Sequence, residues 1–101
     1  MSYRLLIFDE VLNDVKEAKE WYRNQHEGLE LLFASAIEQC LNKLLQTPKS
    51  YSLRYKNVRI AHPKKFPYNI HFYVDESKKT VVVIAIIHNR RNPKTGSKRV
   101  S

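Results

Sequence analysis

Residues 68–88 read Tyr-Asn-Ile-His-Phe-Tyr-Val-Asp-Glu-Ser-Lys-Lys-Thr-Val-Val-Val-Ile-Ala-Ile-Ile-His. In Tyr68–Val74, Tyr68, Ile70, Phe72 and Val74 point one way and Asn69, His71 and Tyr73 the other. That is the period-two pattern of a strand with unlike faces. Asp75–Lys79 is a polar turn. Thr80–Ile87 is apolar and mostly β-branched almost without a break, the mark of a central strand covered on much of both faces. The two strands therefore form a hairpin, and the rest of the chain must supply the layer that covers it.

That layer lies upstream. From about Glu10 to Gln25, Val11, Val15, Ala18 and Tyr22 recur at spacings of four, three and four, one face of a helix, with Trp21 beside them expected to pack between helix and sheet. Asp9 is the expected N-cap, and Gly28 suits a left-handed cap after the helix. Leu29–Leu45 carries a broader apolar stripe of Leu29, Phe33, Ile37, Cys40, Leu41, Leu44 and Leu45, which Thr47-Pro48 stops. So short a junction folds the two helices back as an antiparallel hairpin. Tyr3–Phe8 reads as a first strand and Asn57–Ala61 as a short one, with His62–Lys65 as a loop.

The predicted fold is α+β: a helical hairpin packed on one face of a mostly antiparallel four-stranded sheet, in the order β-α-α-β-β-β. Residues 1–93 form one domain, and 94–101 a flexible basic tail. The start reads as no signal peptide, and the longest apolar run, Val81–Ile87, is too short to span a bilayer. A single cysteine, Cys40, excludes an internal disulfide and suits a cytoplasmic protein; its place on the apolar stripe makes it a buried small hydrophobe. The four histidines and Cys40 lack metal-ligand spacing, and two glycines make no phosphate loop, so neither metal nor cofactor is expected.

Charge points to function. The formal net charge is +8, yet residues 1–50 carry six Lys/Arg against eight Asp/Glu, 6 − 8 = −2, and residues 51–101 carry twelve against two, 12 − 2 = +10. So one-sided a field draws RNA, DNA or an acidic protein, and no basic amphipathic helix directs it to a membrane.

Three segments carry a resemblance: Asn57-Val58-Arg59, Lys65-Phe66-Pro67-Tyr68-Asn69-Ile70, and Ala85-Ile86-Ile87-His88-Asn89-Arg90-Arg91-Asn92-Pro93. Together they resemble the RelE/ParE toxin superfamily: an arginine on the second strand, an aromatic-Pro-Tyr-x-Ile lead into the third, and a His-x-Arg-Arg-x-Pro signature leaving the fourth. The resemblance implies the toxin of a type II toxin–antitoxin pair, of the kind associated with plasmid stabilization and growth inhibition. A cognate antitoxin is the implied partner, and a homodimer is compatible with it. The RelE-like branch cuts messenger RNA on the ribosome; the ParE-like branch poisons DNA gyrase. The last tyrosine here is Tyr73 and the tail has no aromatic, so the sequence sits closer to the ParE-like branch. A degenerate toxin that keeps only antitoxin binding is a further alternative.

Were the chain a metal-independent ribonuclease, Arg59 would clamp the phosphate, His88 act as general acid, and Arg90 and Arg91 assist, with Lys56 or His71 as base. For a binding protein the target-contacting set is Lys56, Arg59, Lys64, Lys65, Arg90 and Arg91. Plainer roles compete: His88 bonding a backbone carbonyl, Arg59 pairing with a helix acid, His71 and Tyr73 lining the sheet. The common expectation is that Arg59, His88 and Arg90 converge into one anion-attracting cleft.

Overall fold

The computed structural model describes residues 3–90 and Arg99; the expectations for Arg91, Pro93 and most of the tail lie outside the described residues. Strand β1 (Arg4–Ile7) leads into helix α1 (Asp9–Gln25), and α2 (Leu29–Gln46) returns. A short 3-10 turn, Pro48–Ser50, precedes β2 (Leu53–Tyr55), β3 (Val58–Ala61), β4 (Tyr68–Asp75) and β5 (Thr80–His88). The predicted class and order hold. Among the described residues the sheet has five strands rather than four, in the order β1-β5-β4-β3-β2. The added strand, β2, is three residues long, and two of them are exposed, so it carries too little apolar pattern to be read in advance. Its register opposite β3 is interrupted by a bulge. Among the described residues all pairings are antiparallel except β1 with β5, the first and last strands of the chain, which run parallel.

The chain reverses between the helices at Gly28, whose φ of +89° only glycine adopts without strain. Helix α1 begins one residue earlier than expected for an Asp9 cap: Phe8 occupies the cap position and Asp9 lies in the first turn, where its negative charge suits the positive end of the helix dipole. Arg23 and Glu30 pair at 3.2 Å where the hairpin turns.

The main core fills the space between helices and sheet. Val11, Ala18 and Tyr22 of α1 and Phe33, Ile37 and Leu44 of α2 pack on Ala61, Tyr68, Ile70, Phe72, Val81, Val83 and Ile86. The stripe read from the sequence is thus the buried one, although Cys40 is only half-buried and Trp21 is 57 % exposed. Trp21 projects past the hairpin because Tyr22, one position on, takes the inward direction and meets it edge-on at 5.1 Å. A smaller cluster of Val58, Val82 and Ile84 lies on the face turned away from the helices. Every residue from Val81 to Ile87 is buried, as the unbroken run of β5 predicts.

The two acids of the basic half are engaged at one corner. Asp75 accepts from Ser77 and from the Lys78 amide in the turn. Glu76 accepts from the Tyr3 hydroxyl at 2.6 Å and pairs with Lys79 and Lys49. These contacts hold its carboxyl down at about 2. The cations of β2, β3 and the 62–67 loop therefore have no neutralising acid from their own half nearby.

Candidate functional site

Arg59 does not reach the expected cleft. Its β3 position puts it on the same face as Ala61, toward the helices, opposite Phe72. There its guanidinium donates to the main-chain carbonyls of Tyr51 and Lys49, tying β3 to the segment that leaves α2. It thus serves neither as an open phosphate clamp nor as the partner of a helix acid. Main-chain carbonyls at a chain reversal need donors, and Nη1 of the guanidinium reaches both.

His88 is at the far end of β5, opposite Tyr68. Its ring meets Tyr68 edge-on at 5.2 Å, and its Nδ1 accepts the Arg90 amide at 3.1 Å rather than donating to a carbonyl. With Phe72 and Tyr68 four positions apart on β4 and Arg59 and His88 on opposite flanking strands, the two backbones are separated by roughly 16 Å. Arg90 follows the strand, exposed. Lys56 sits in the β2–β3 turn at φ +47°. The expected convergence of Arg59, His88 and Arg90 is not what the register produces.

Lys64 and Lys65 do find company, on another surface. They border a groove of about 700 Å³ along α2, whose walls include Leu32, Ala36, Phe66 and Pro67. It adjoins a second recess of about 450 Å³ bounded by Lys43, Cys40, Tyr51 and His62. The result is an apolar channel with a lysine rim, beside the exposed Leu31 and Leu32.

A polar cluster forms on the sheet face away from the helices, where the sequence offered His71 and Tyr73 as strand lining, with His71 also a candidate base. His71 is 2 % exposed, and its Nδ1 lies 2.8 Å from the Tyr55 hydroxyl. Burial, then the charges of Arg54 and Arg99 and neighbouring His62, drive its pKa down from 6.5 to about 4, against a smaller opposing pull from Asp14. Arg54, Tyr55, Asn69, His71 and Asn89 border one recess of about 280 Å³. The signal for it was the polar register Asn69-His71-Tyr73; Arg54 was missed because β2 was.

The neutral His71 gives a pH signature. Its folded pKa is depressed below the unfolded one, so the unfolded chain binds more protons between the two values. The contribution is fully present above pH 6.5, is lost as pH falls through the window from 6.5 to about 4, and levels off below it. The expected loss is about 3 kcal/mol. Urea titrations across that window should show the slope in the native chain, and His71→Asn should flatten it.

Sequence analysis also missed Asp14. It falls on the apolar side of α1, is 8 % exposed, and accepts the Ile86 amide at 3.1 Å while pairing with Arg99 at 2.8 Å. Arg99 in turn donates to the Ile84 carbonyl at 2.8 Å. Since β1 covers β5 only as far as Val83, this acid–base pair takes the place of a missing strand along the next part of the β5 edge.

Among the described residues no helix is long and apolar enough to cross a membrane, and no His/Cys/Asp/Glu group is placed to hold a metal. No curated protein matches the sequence. The model of the family described as "ParE toxin of type II toxin-antitoxin system, parDE" matches residues 5–93.

The chain belongs to the ParE toxin family.

Solved structures share its fold. A chromosomal ParDE toxin–antitoxin system from P. aeruginosa has a chain with TM-score 0.74 at 16 % identity, covering 86 % of this chain and 96 % of that one. A mutant of the E. coli toxin RelE in the free state gives TM-score 0.69 at 18 % identity, covering 99 % and 96 %. The RelBE2 toxin–antitoxin complex of Mycobacterium tuberculosis gives 0.63 at 16 %, covering 87 % and 92 %. At these identities the likeness is one of fold. The ParE-family match itself spans β1 through the His88–Pro93 signature, including all three segments that carried the resemblance.

Proposed function

We propose that this ParE-family chain arrests growth by binding a macromolecular target in the cytoplasm, DNA gyrase foremost, and is silenced by a cognate antitoxin. The observation that supports binding over RNA cleavage is the use of Arg59. Metal-free cleavage needs a cation facing the phosphate and an acid–base group beside it. Here the guanidinium is held by two carbonyls and His88 packs on Tyr68, some strands away. Without that grouping the large positive charge acts as a long-range attractor and contact surface.

The α2 channel, apolar with Lys43, Lys64 and Lys65 at its rim, suits an acidic amphipathic segment of the antitoxin. Structures of the same fold that are described as toxin–antitoxin complexes support that reading.

Purified chain should inhibit the supercoiling activity of gyrase, and the product of the adjacent gene should restore it, less completely as salt rises. Full supercoiling at saturating chain, with translation halted in a parallel lysate, would remove gyrase as the target. An antitoxin complex equally tight from low to very high salt would remove the electrostatic account of the channel.

A further inference from the structure

The sheet ends in two edges, and they are built differently. β2 is three residues long, a bulge breaks its register, and Arg54 lies on it with Lys56 in the turn that follows. Shortness, charge and a bulge are the features that keep an edge strand from pairing with another chain. Apart from Arg4 at its start, β1 lacks these guards. Its four residues pair with β5 without a break, and it holds no lysine or proline. Leu5 is 38 % exposed and Leu6 53 %.

The hydrogen bonds of β1 fix what its outer edge offers. The Arg4 amide donates to the Lys79 carbonyl and the Phe8 amide to the Val83 carbonyl, so residues 4, 6 and 8 turn their main-chain groups toward β5. Leu5 and Ile7 therefore turn theirs outward, and among the described residues no strand pairs with them. Leu6, opposite Val82, has its side chain on the sheet face away from the helices.

We propose that the β1 edge is a self-association surface, on which a second copy of this chain lays its own β1 antiparallel about a two-fold axis at Leu6, joining the two sheets into one. In that register Leu5 of each copy faces Ile7 of the other. Each such pair exchanges main-chain hydrogen bonds in both directions, so every outward N–H finds a carbonyl. The two Leu6 side chains meet at the axis in a non-hydrogen-bonded pair, the closer kind. Arg4 comes within one position of Asp9 of the second copy; both are exposed, and neither has an ion-pair partner among the described residues.

Charge favours a second copy here over the acidic partner that the α2 channel suits. β1 belongs to the half of the chain that carries −2, and its two ends, Arg4 and Asp9, complement themselves when one copy is reversed on the other. The half that carries +10 supplies β2, β3 and β4, which this arrangement sets farthest from the axis. The helices leave room. α1 packs over β5, three strand spacings or roughly 14 Å from its copy, which exceeds the ~8–10 Å between packed helices. A two-fold contact consumes both β1 edges, and the guarded β2 edges stop growth there. Strands this short bury well under the ~1,200 Å² at which stable interfaces begin, so the dimer is weak, with a Kd of about 10 µM or above. The surface shares no residue with the α2 channel, so self-association and antitoxin capture can fail separately.

The test is sedimentation velocity on the full chain alone, from micromolar to millimolar, with amide hydrogen exchange read at both ends of that range. The expected result is a monomer–dimer equilibrium that stops at two chains. The Leu5 and Ile7 amides should exchange fast in the dilute sample and at least about tenfold more slowly in the concentrated one. Leu6→Lys sets two ammonium groups face to face and should weaken the dimer at least about tenfold. Arg4→Asp should weaken it about threefold, and Asp9→Arg added to that variant should restore it, which a merely loosened fold would not do. If Leu6→Lys unfolds, the concentration dependence of the two native amides decides. A monomer throughout, growth beyond two chains, a dimer indifferent to Leu6→Lys, an absent rescue, or protection of Leu5 and Ile7 that is the same at every concentration would each overturn the proposal. So would protection that comes only with the product of the adjacent gene, which would give the edge to the antitoxin.

Discussion

Phe33→Ala is expected to lower the stability of the fold by about 4 kcal/mol, the cost typical of truncating a fully buried aromatic. Phe33 is 0 % exposed and stands at the centre of an aromatic cluster. Its ring centroid lies 5.2 Å from Tyr22, 5.3 Å from Phe66 and 4.9 Å from Tyr68, in tilted and edge-on contacts. The truncation removes the apolar burial, the ring–ring contacts and the filling of a space that three large neighbours cannot collapse into. For a domain of this size the melting temperature should drop by roughly 20 °C. Phe66 also walls the α2 channel, so the surface assigned to the antitoxin should loosen with the core. Trp21→Ala is the control: as large a ring, but 57 % exposed, it should cost about 1 kcal/mol or less in the same urea titration. Equal losses from the two variants would mean that the cluster is not the centre of the core.

Asp14→Ala should be about as damaging, again near 4 kcal/mol, for a different reason. The carboxylate accepts a main-chain amide of β5 and pairs with Arg99, whose side chain is 17 % exposed. Its removal leaves the Ile86 N–H without an acceptor and a guanidinium without its counter-charge in a poorly solvated place. Asp14→Asn should be milder, because the amide oxygen still receives Ile86. Asp14→Ala combined with Arg99→Ala should cost clearly less than the sum of the single changes, since the second removes the stranded charge that the first creates. Additive losses would show that the two side chains do not act as a unit.

These two residues mark how far the sequence could be read. Phe33 lies on an apolar stripe with helical spacing, and such spacing says which side is buried without any knowledge of the partner. The β4–β5 hairpin was legible for the same reason, because alternation and an unbroken β-branched run are local signals. Asp14 was not legible: a carboxylate on the inner side of a helix looks like a break in the stripe until the end of β1 exposes the amide it serves. β2 went unread because three residues hold too little period. The site was read less well than the fold. Arg59 was singled out as an arginine on a strand, but which face it takes, and which carbonyls it finds there, depend on the β3–β4 register. The recess around His71 brings together residues from β2, β4 and the end of β5, and no spacing along the chain announces that meeting.

The central claim is that this ParE-family chain acts by binding rather than by cutting RNA, with Arg59 serving the fold. Transcript ends mapped in cells soon after induction, alongside the linking number of a resident plasmid, test it most directly. The account predicts plasmid relaxation with message ends unchanged. Codon-aligned cleavage of messages that disappears in Arg59→Lys, a variant still folded by circular dichroism, with plasmid supercoiling intact, would contradict it.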